Sequence, residues 1–245
     1  MKILIALLLT VAPVFARAFQ PTDHYDQRQI EGWKVYVNQD LLADKSLSDR
    51  CLALLQAKLL DIQHVVPAAA VVKLKEVPIW FELNDEKFPG ACYHPSKDWL
   101  KSNDVNPDKA GGVEIANAKN FLTWTLVQPW MVLHELAHSY HHRVLGYDNA
   151  EIKAAYKAAK ESGKYEKVLY YNGQTKKHYA MNNDQEYFAE STEAFFGTND
   201  FYPFVRPELK EFDPQMYEVV RKAWGVTGRG GRGSRDEGQA GKVRP

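Results

Sequence analysis

The chain has 245 residues, 45% hydrophobic and 25% charged, the proportions of an ordinary globular domain. Lysine plus arginine and aspartate plus glutamate each number 31, so the formal net charge is zero. That balance excludes a strongly cationic nucleic-acid binder and a protein held by charge on an anionic membrane.

The first 18 residues, MKILIALLLTVAPVFARA, carry one lysine, an apolar run and an A-x-A end. This is the layout of a secretory signal cleaved after Ala18, and it predicts a secreted or periplasmic protein. A membrane anchor is the other reading, but the run is short and contains Pro13. No later stretch reaches the ~20 apolar residues of a spanning helix.

Residues 19–32 are polar and read as irregular. Trp33–Val37 alternates like a strand, and Leu47–Val65 repeats apolar residues at helical spacing behind Ser46 or Ser48 as cap. Val71–Leu83 reads as a strand interrupted at Pro78. Residues 84–110 read as loop, anchored by Trp99. Gly111–Trp124 holds one or two short strands, and Gly111–Ile115 is either a peptide-binding edge strand or a plain core-edge strand.

A helix opens at Gln128-Pro129 and closes at Gly146. A second covers Ala150–Ser162. Lys167–Ala180 reads as a hairpin turning at Asn172-Gly173. Asp184 starts another helix that stops at Gly197, and a last one covers Pro214–Trp224. From Gly225 the composition turns to glycine and arginine, predicting a disordered tail over 225–245. The expected organisation is a signal peptide (1–18), one domain (19–224) and that tail.

The chemistry concentrates in His134-Glu135-Leu136-Ala137-His138. Residues four apart share one helix face, so both imidazoles can meet one ion. Glu135 is rotated by about 100° and can reach a water on that ion instead. Two metal ligands and a general base are the content of H-E-x-x-H. The bland alternative is a pair of core or solvated histidines. His141 is read as packed rather than ligating, and His142 as facing solvent. A third ligand is sought in DQEYFAESTEAFF, where Glu186, Glu190 and Glu193 form a carboxylate stripe on a largely apolar helix. Cys51 and Cys92 could pair in an oxidising compartment, or Cys51 could be plain core.

HELAH followed by EYFAE resembles the gluzincin metallopeptidases, in particular the catalytic domain of anthrax lethal factor and its relatives. The resemblance covers roughly residues 110–200. It implies an α+β, zincin-like fold with a mixed, mainly antiparallel sheet packed on helices. It implies Zn²⁺ held by His134, His138 and Glu186, with Glu190 orienting a zinc histidine and Tyr179 donating to the oxyanion. With Glu135 as general base, the expected activity is hydrolysis of peptide bonds in a protein or peptide substrate, with no nucleic-acid partner. The competing expectations are a non-catalytic exported zinc-binding protein and a zinc amidase acting on cell-wall peptides.

Overall fold

The computed structural model describes residues 19–85, 88 and 90–227. The expected signal peptide lies outside the described residues, as does the expected tail except for 225–227.

The segment read as irregular forms a strand. β1 (Tyr25–Ile30) pairs antiparallel with β2 (Trp33–Asn38) through a turn in which Glu31 and Gly32 both have positive φ, 51° and 89°. That is the backbone a two-residue hairpin requires. β1 was hidden because only Tyr25 among its residues is buried, so no apolar alternation marks it. β2 does alternate, with Trp33, Val35 and Val37 inside.

α1 (Gln39–Ala43) leads into α2 (Lys45–Val65). The cap of α2 is Asp44, which accepts from Leu47 N at 3.1 Å, rather than either serine. Leu47, Cys51, Leu55, Leu59 and Ile62 form its buried stripe. The start of the expected strand at 71–83 is instead α3 (Ala68–Leu74), which buries Ala70, Val71 and Leu74. The Ala-Ala-Ala run behind Pro67 favours a helix start over the apparent alternation. Strand structure begins only after Pro78, as β3 (Ile79–Phe81).

The expected loop contains β4 (Ala91–Tyr93) and α4 (Lys97–Ser102). Its buried anchor is Leu100, while Trp99 is half exposed. β5 (Val113–Ile115) matches the first of the short strands expected beyond Gly111. The second, NFLTW, is helix α5 (Ala118–Trp124), because Asn117 caps it by accepting from Asn120 N at 2.8 Å.

The five strands order as β1-β2-β3-β5-β4. The β2–β3 and β3–β5 pairs are parallel, and the two outer pairs are antiparallel. The sheet is therefore mixed in equal parts, and β5 is interior. The edge strands are β1 and β4.

Five more helices and a short hairpin follow among the described residues. α6 (Met131–Tyr140) passes into one π-helical turn (His141–Leu145) that ends at Gly146, φ 79°. α7 (Ala150–Ser162) and the short hairpin β6 (Val168–Leu169) and β7 (Thr175–Lys176) fall where expected. α8 (Asp184–Phe196), α9 (Arg206–Phe212) and α10 (Pro214–Ala223) form the C-terminal helical part. The class is α+β, and the core is continuous from β2 and α2 through α6 to α8 and α10. Among the described residues, no helix is long and apolar enough to cross a membrane.

A buried polar cluster lies under the sheet. Lys109 Nζ sits 2.5 Å from Glu114 Oε1 and 2.8 Å from Glu82 Oε1. Glu114 Oε2 meets His94 Nε2 at 2.5 Å, and Glu82 accepts from Tyr25 OH and Asn38 Nδ2, each at 2.7 Å. Charged groups with almost no solvent contact persist only when paired in this way.

Candidate metal centre

α6 carries His134 and His138 one turn apart, and α8 packs alongside it. His134 Nε2 and His138 Nε2 lie 3.1 Å apart. Glu186 Oε2 lies 3.1 Å from the first and 3.3 Å from the second. These three atoms form a nearly equilateral triangle. Bonds of ~2.0–2.1 Å to a tetrahedral zinc ion place ligand atoms about 3.3 Å apart, so the triangle has the dimensions of one face of such a site. The donor set of two imidazoles and one carboxylate suits zinc.

Glu186 is placed by the start of α8, where Asn183 accepts from its backbone N–H at 2.8 Å. Burial pushes the Glu186 carboxyl upward, but hydrogen bonds to His134 and His138 outweigh this and hold it well below the usual range. For His134, burial opposes the charged ring, while Glu186 and Glu193 raise its proton affinity well above that of an ordinary histidine. The same negative surroundings would favour a divalent cation.

The acceptor behind His134 is Glu193. Its Oε1 lies 2.7 Å from His134 Nδ1. A carboxylate can only accept, so Nδ1 carries the hydrogen and the Nε2 lone pair points to the other two donors. Glu190, expected in this role, stands 3.7 Å from the same nitrogen, beyond hydrogen-bond reach. It accepts instead from Asn199 Nδ2 at 2.9 Å. Burial, reinforced by Glu193, drives the Glu190 carboxyl well above its usual pKa.

The triangle lies in a cavity of about 520 Å³ whose walls include Glu135, Tyr179, Tyr147, Trp124, Met131 and edge strand β4. Glu135 is half-buried beside the two histidines. Tyr179 belongs to a 3₁₀ turn (Tyr179–Met181) rather than to a strand, and it is half exposed. Burial, with Glu186 nearby, raises its pKa, so the phenol keeps its hydrogen and remains a donor. Its neighbour His178 turns inward and caps that turn, accepting from Ala180 N at 3.1 Å.

His141 and His142 stand outside the triangle. His141 is fully buried against Tyr147 and Phe188, and burial lowers it to about 4. His142 is half-buried, not solvent-facing: it bonds Tyr93 OH at 2.9 Å and stacks on Tyr147. Both thiols are free. Cys92, His94 and Glu114 also converge, but Lys109 and His94 already occupy the carboxylate oxygens of Glu114.

Sequence reasoning missed Glu193 as the histidine's partner, together with Tyr147, Gln128 and Asp200 in the cavity wall. Compared with known proteins, the chain matches no family model, no curated protein and no solved structure.

Proposed function

We propose that this chain is an exported zinc-dependent metallopeptidase of zincin-like fold and gluzincin type. The observation that carries the reading is the triangle of His134, His138 and Glu186 donor atoms, 3.1–3.3 Å on a side, in a cavity also lined by Glu135 and Tyr179. Fixing metal requires neither Glu135 nor Tyr179, which favours turnover over a purely structural ion.

A zinc ion bound by these three side chains would supply Lewis acidity and lower the pKa of a water toward neutrality. Glu135 accepts the proton of the attacking water and returns it to the leaving amine nitrogen, so one peptide bond is exchanged for a carboxyl and an amine. Tyr179 donates to the carbonyl oxygen as negative charge grows there. Glu193 keeps His134 in the metal-binding tautomer throughout. Edge strand β4, with Ala91, Cys92 and Tyr93 on the cavity wall, can pair with an extended substrate through its free backbone groups.

The test is chelator-sensitive, zinc-restored cleavage of an unfolded protein, set beside cleavage of peptidoglycan fragments. Glu135→Gln should retain one zinc per chain and lose about 10²–10⁴-fold in kcat. Zinc retained without turnover on either substrate would return the chain to the binding-protein reading. Turnover of peptidoglycan peptides alone would make it an amidase.

A further inference from the structure

The chain is neutral overall, but its cavity is not. Five carboxyl side chains line it, Glu135, Glu186, Glu190, Glu193 and Asp200, and among the described residues no lysine or arginine does. A dication on Glu186 and a general base at Glu135 account for two of the five. The other three lie together on the side behind His134, each 2–3% exposed.

Asp200 is set on this wall by the segment after α8. Its carbonyl accepts from Tyr171 N at 2.8 Å, and its Oδ2 accepts from Gln128 Nε2 at 3.1 Å. Glu193 spends one oxygen on His134, and its other oxygen, Oε2, is buried without any hydrogen-bond partner. An unpaired carboxylate oxygen in such a place costs free energy unless a donor arrives. Tyr170 and Phe201 border the same wall with ring centroids 4.6 Å apart. Lys176 Nζ already lies 4.1 Å from the Tyr170 ring centroid and His178 stacks on Phe201, so these rings offer a substrate apolar contact for an aliphatic stem rather than a free cation-binding face.

We propose that this wall is a specificity subsite for a basic residue, lysine or arginine, next to the scissile bond. Asp200 and the free oxygen of Glu193 receive the cationic head, Gln128 orients Asp200, and the rings of Tyr170 and Phe201 flank the stem. The inference rests on the peptidase reading and adds the substrate class to it. The cavity should also reject acidic side chains, since five carboxyl groups line it.

The experiment uses the zinc-loaded protein and a peptide series that differs only in carrying Lys, Arg, Leu or Glu on either side of one cleavable bond. It has two readouts, kcat/KM for the active protein and peptide affinity for Glu135→Gln by fluorescence. The Lys or Arg peptides should exceed the Leu peptide by about 10- to 100-fold, the range of a hydrogen-bonded charge. Asp200→Asn should erase most of that advantage, bringing the Lys and Arg peptides down to the level of the Leu peptide.

If no peptide is cleaved but the basic ones bind selectively and lose this with Asp200→Asn, the subsite stands and the hydrolytic reading falls. Cleavage without preference for a basic residue overturns the subsite and leaves the hydrolase intact. A second equivalent of metal that disappears with Asp200→Asn would also overturn it, because the wall would then hold an ion rather than a side chain.

Discussion

His134 Nδ1 meets Glu193 Oε1 at 2.7 Å, while Glu190, one residue triplet earlier on the same helix, stays 3.7 Å away. The two carboxylates therefore differ in what their loss should do. Supporting acceptors of this kind are worth about 10- to 100-fold in metal affinity. Glu193→Ala should weaken zinc binding by that factor, whereas Glu190→Gln should leave it nearly unchanged. Competition with a chromophoric chelator measures both, and equal affinities would remove Glu193 from the role.

Asp200 predicts a pH-dependent stability. Burial, then Glu193, pushes its carboxyl up to about 6 from the usual 3.8. The folded state thus holds the proton more tightly than the unfolded one. The group costs nothing below about pH 4, and the cost grows between pH 4 and 6 to about 3 kcal/mol above that. Asp200→Asn should raise Tm at pH 7.5 and lose its advantage at pH 3.5. A gain that persists in acid would point to packing rather than charge.

The buried Lys109 predicts the opposite sign. Removing it leaves Glu82 and Glu114 facing each other with less compensation. Breaking such a pair from one side typically costs about 3–5 kcal/mol. Lys109→Met should lower the urea midpoint accordingly. Lys153, whose partner Asp148 is fully solvated, serves as the control, and Lys153→Met should change little.

Gly197 marks the place where α8 ends against the approach to α6. A Cβ there would fall 1.9 Å from the indole of Trp130. Gly197→Ala should cost about 1–3 kcal/mol by overpacking, and should loosen zinc as well if α6 shifts against α8. Thermal melts with and without metal separate the two effects.

The three proposed ligands were legible because two of them follow from spacing alone. A four-residue interval on one helix aligns His134 and His138 whatever surrounds them. For the third, the sequence pattern went only as far as a carboxylate stripe too apolar around its rim to be a surface edge, and the gluzincin resemblance picked Glu186 from its three members. Which member of the stripe reaches His134 Nδ1 was not legible, since that depends on how α6 crosses α8, and no interval encodes a crossing. Lys109 was invisible for a related reason: a single lysine in a Pro- and Gly-rich stretch reads as solvated until Glu82 and Glu114 arrive from two strands of one sheet. The misread segments at 71–74 and 118–124 are short apolar runs, where capping and alanine content outweigh alternation.

Cys51 gives its thiol hydrogen to the carbonyl of Ala118 at 3.4 Å, and Cys92 stands 3.5 Å from a ring nitrogen of His94. Neither sulfur is engaged with the other. The architecture therefore contains no covalent crosslink to form or lose, and a thiol reductant should leave its melting temperature where it was.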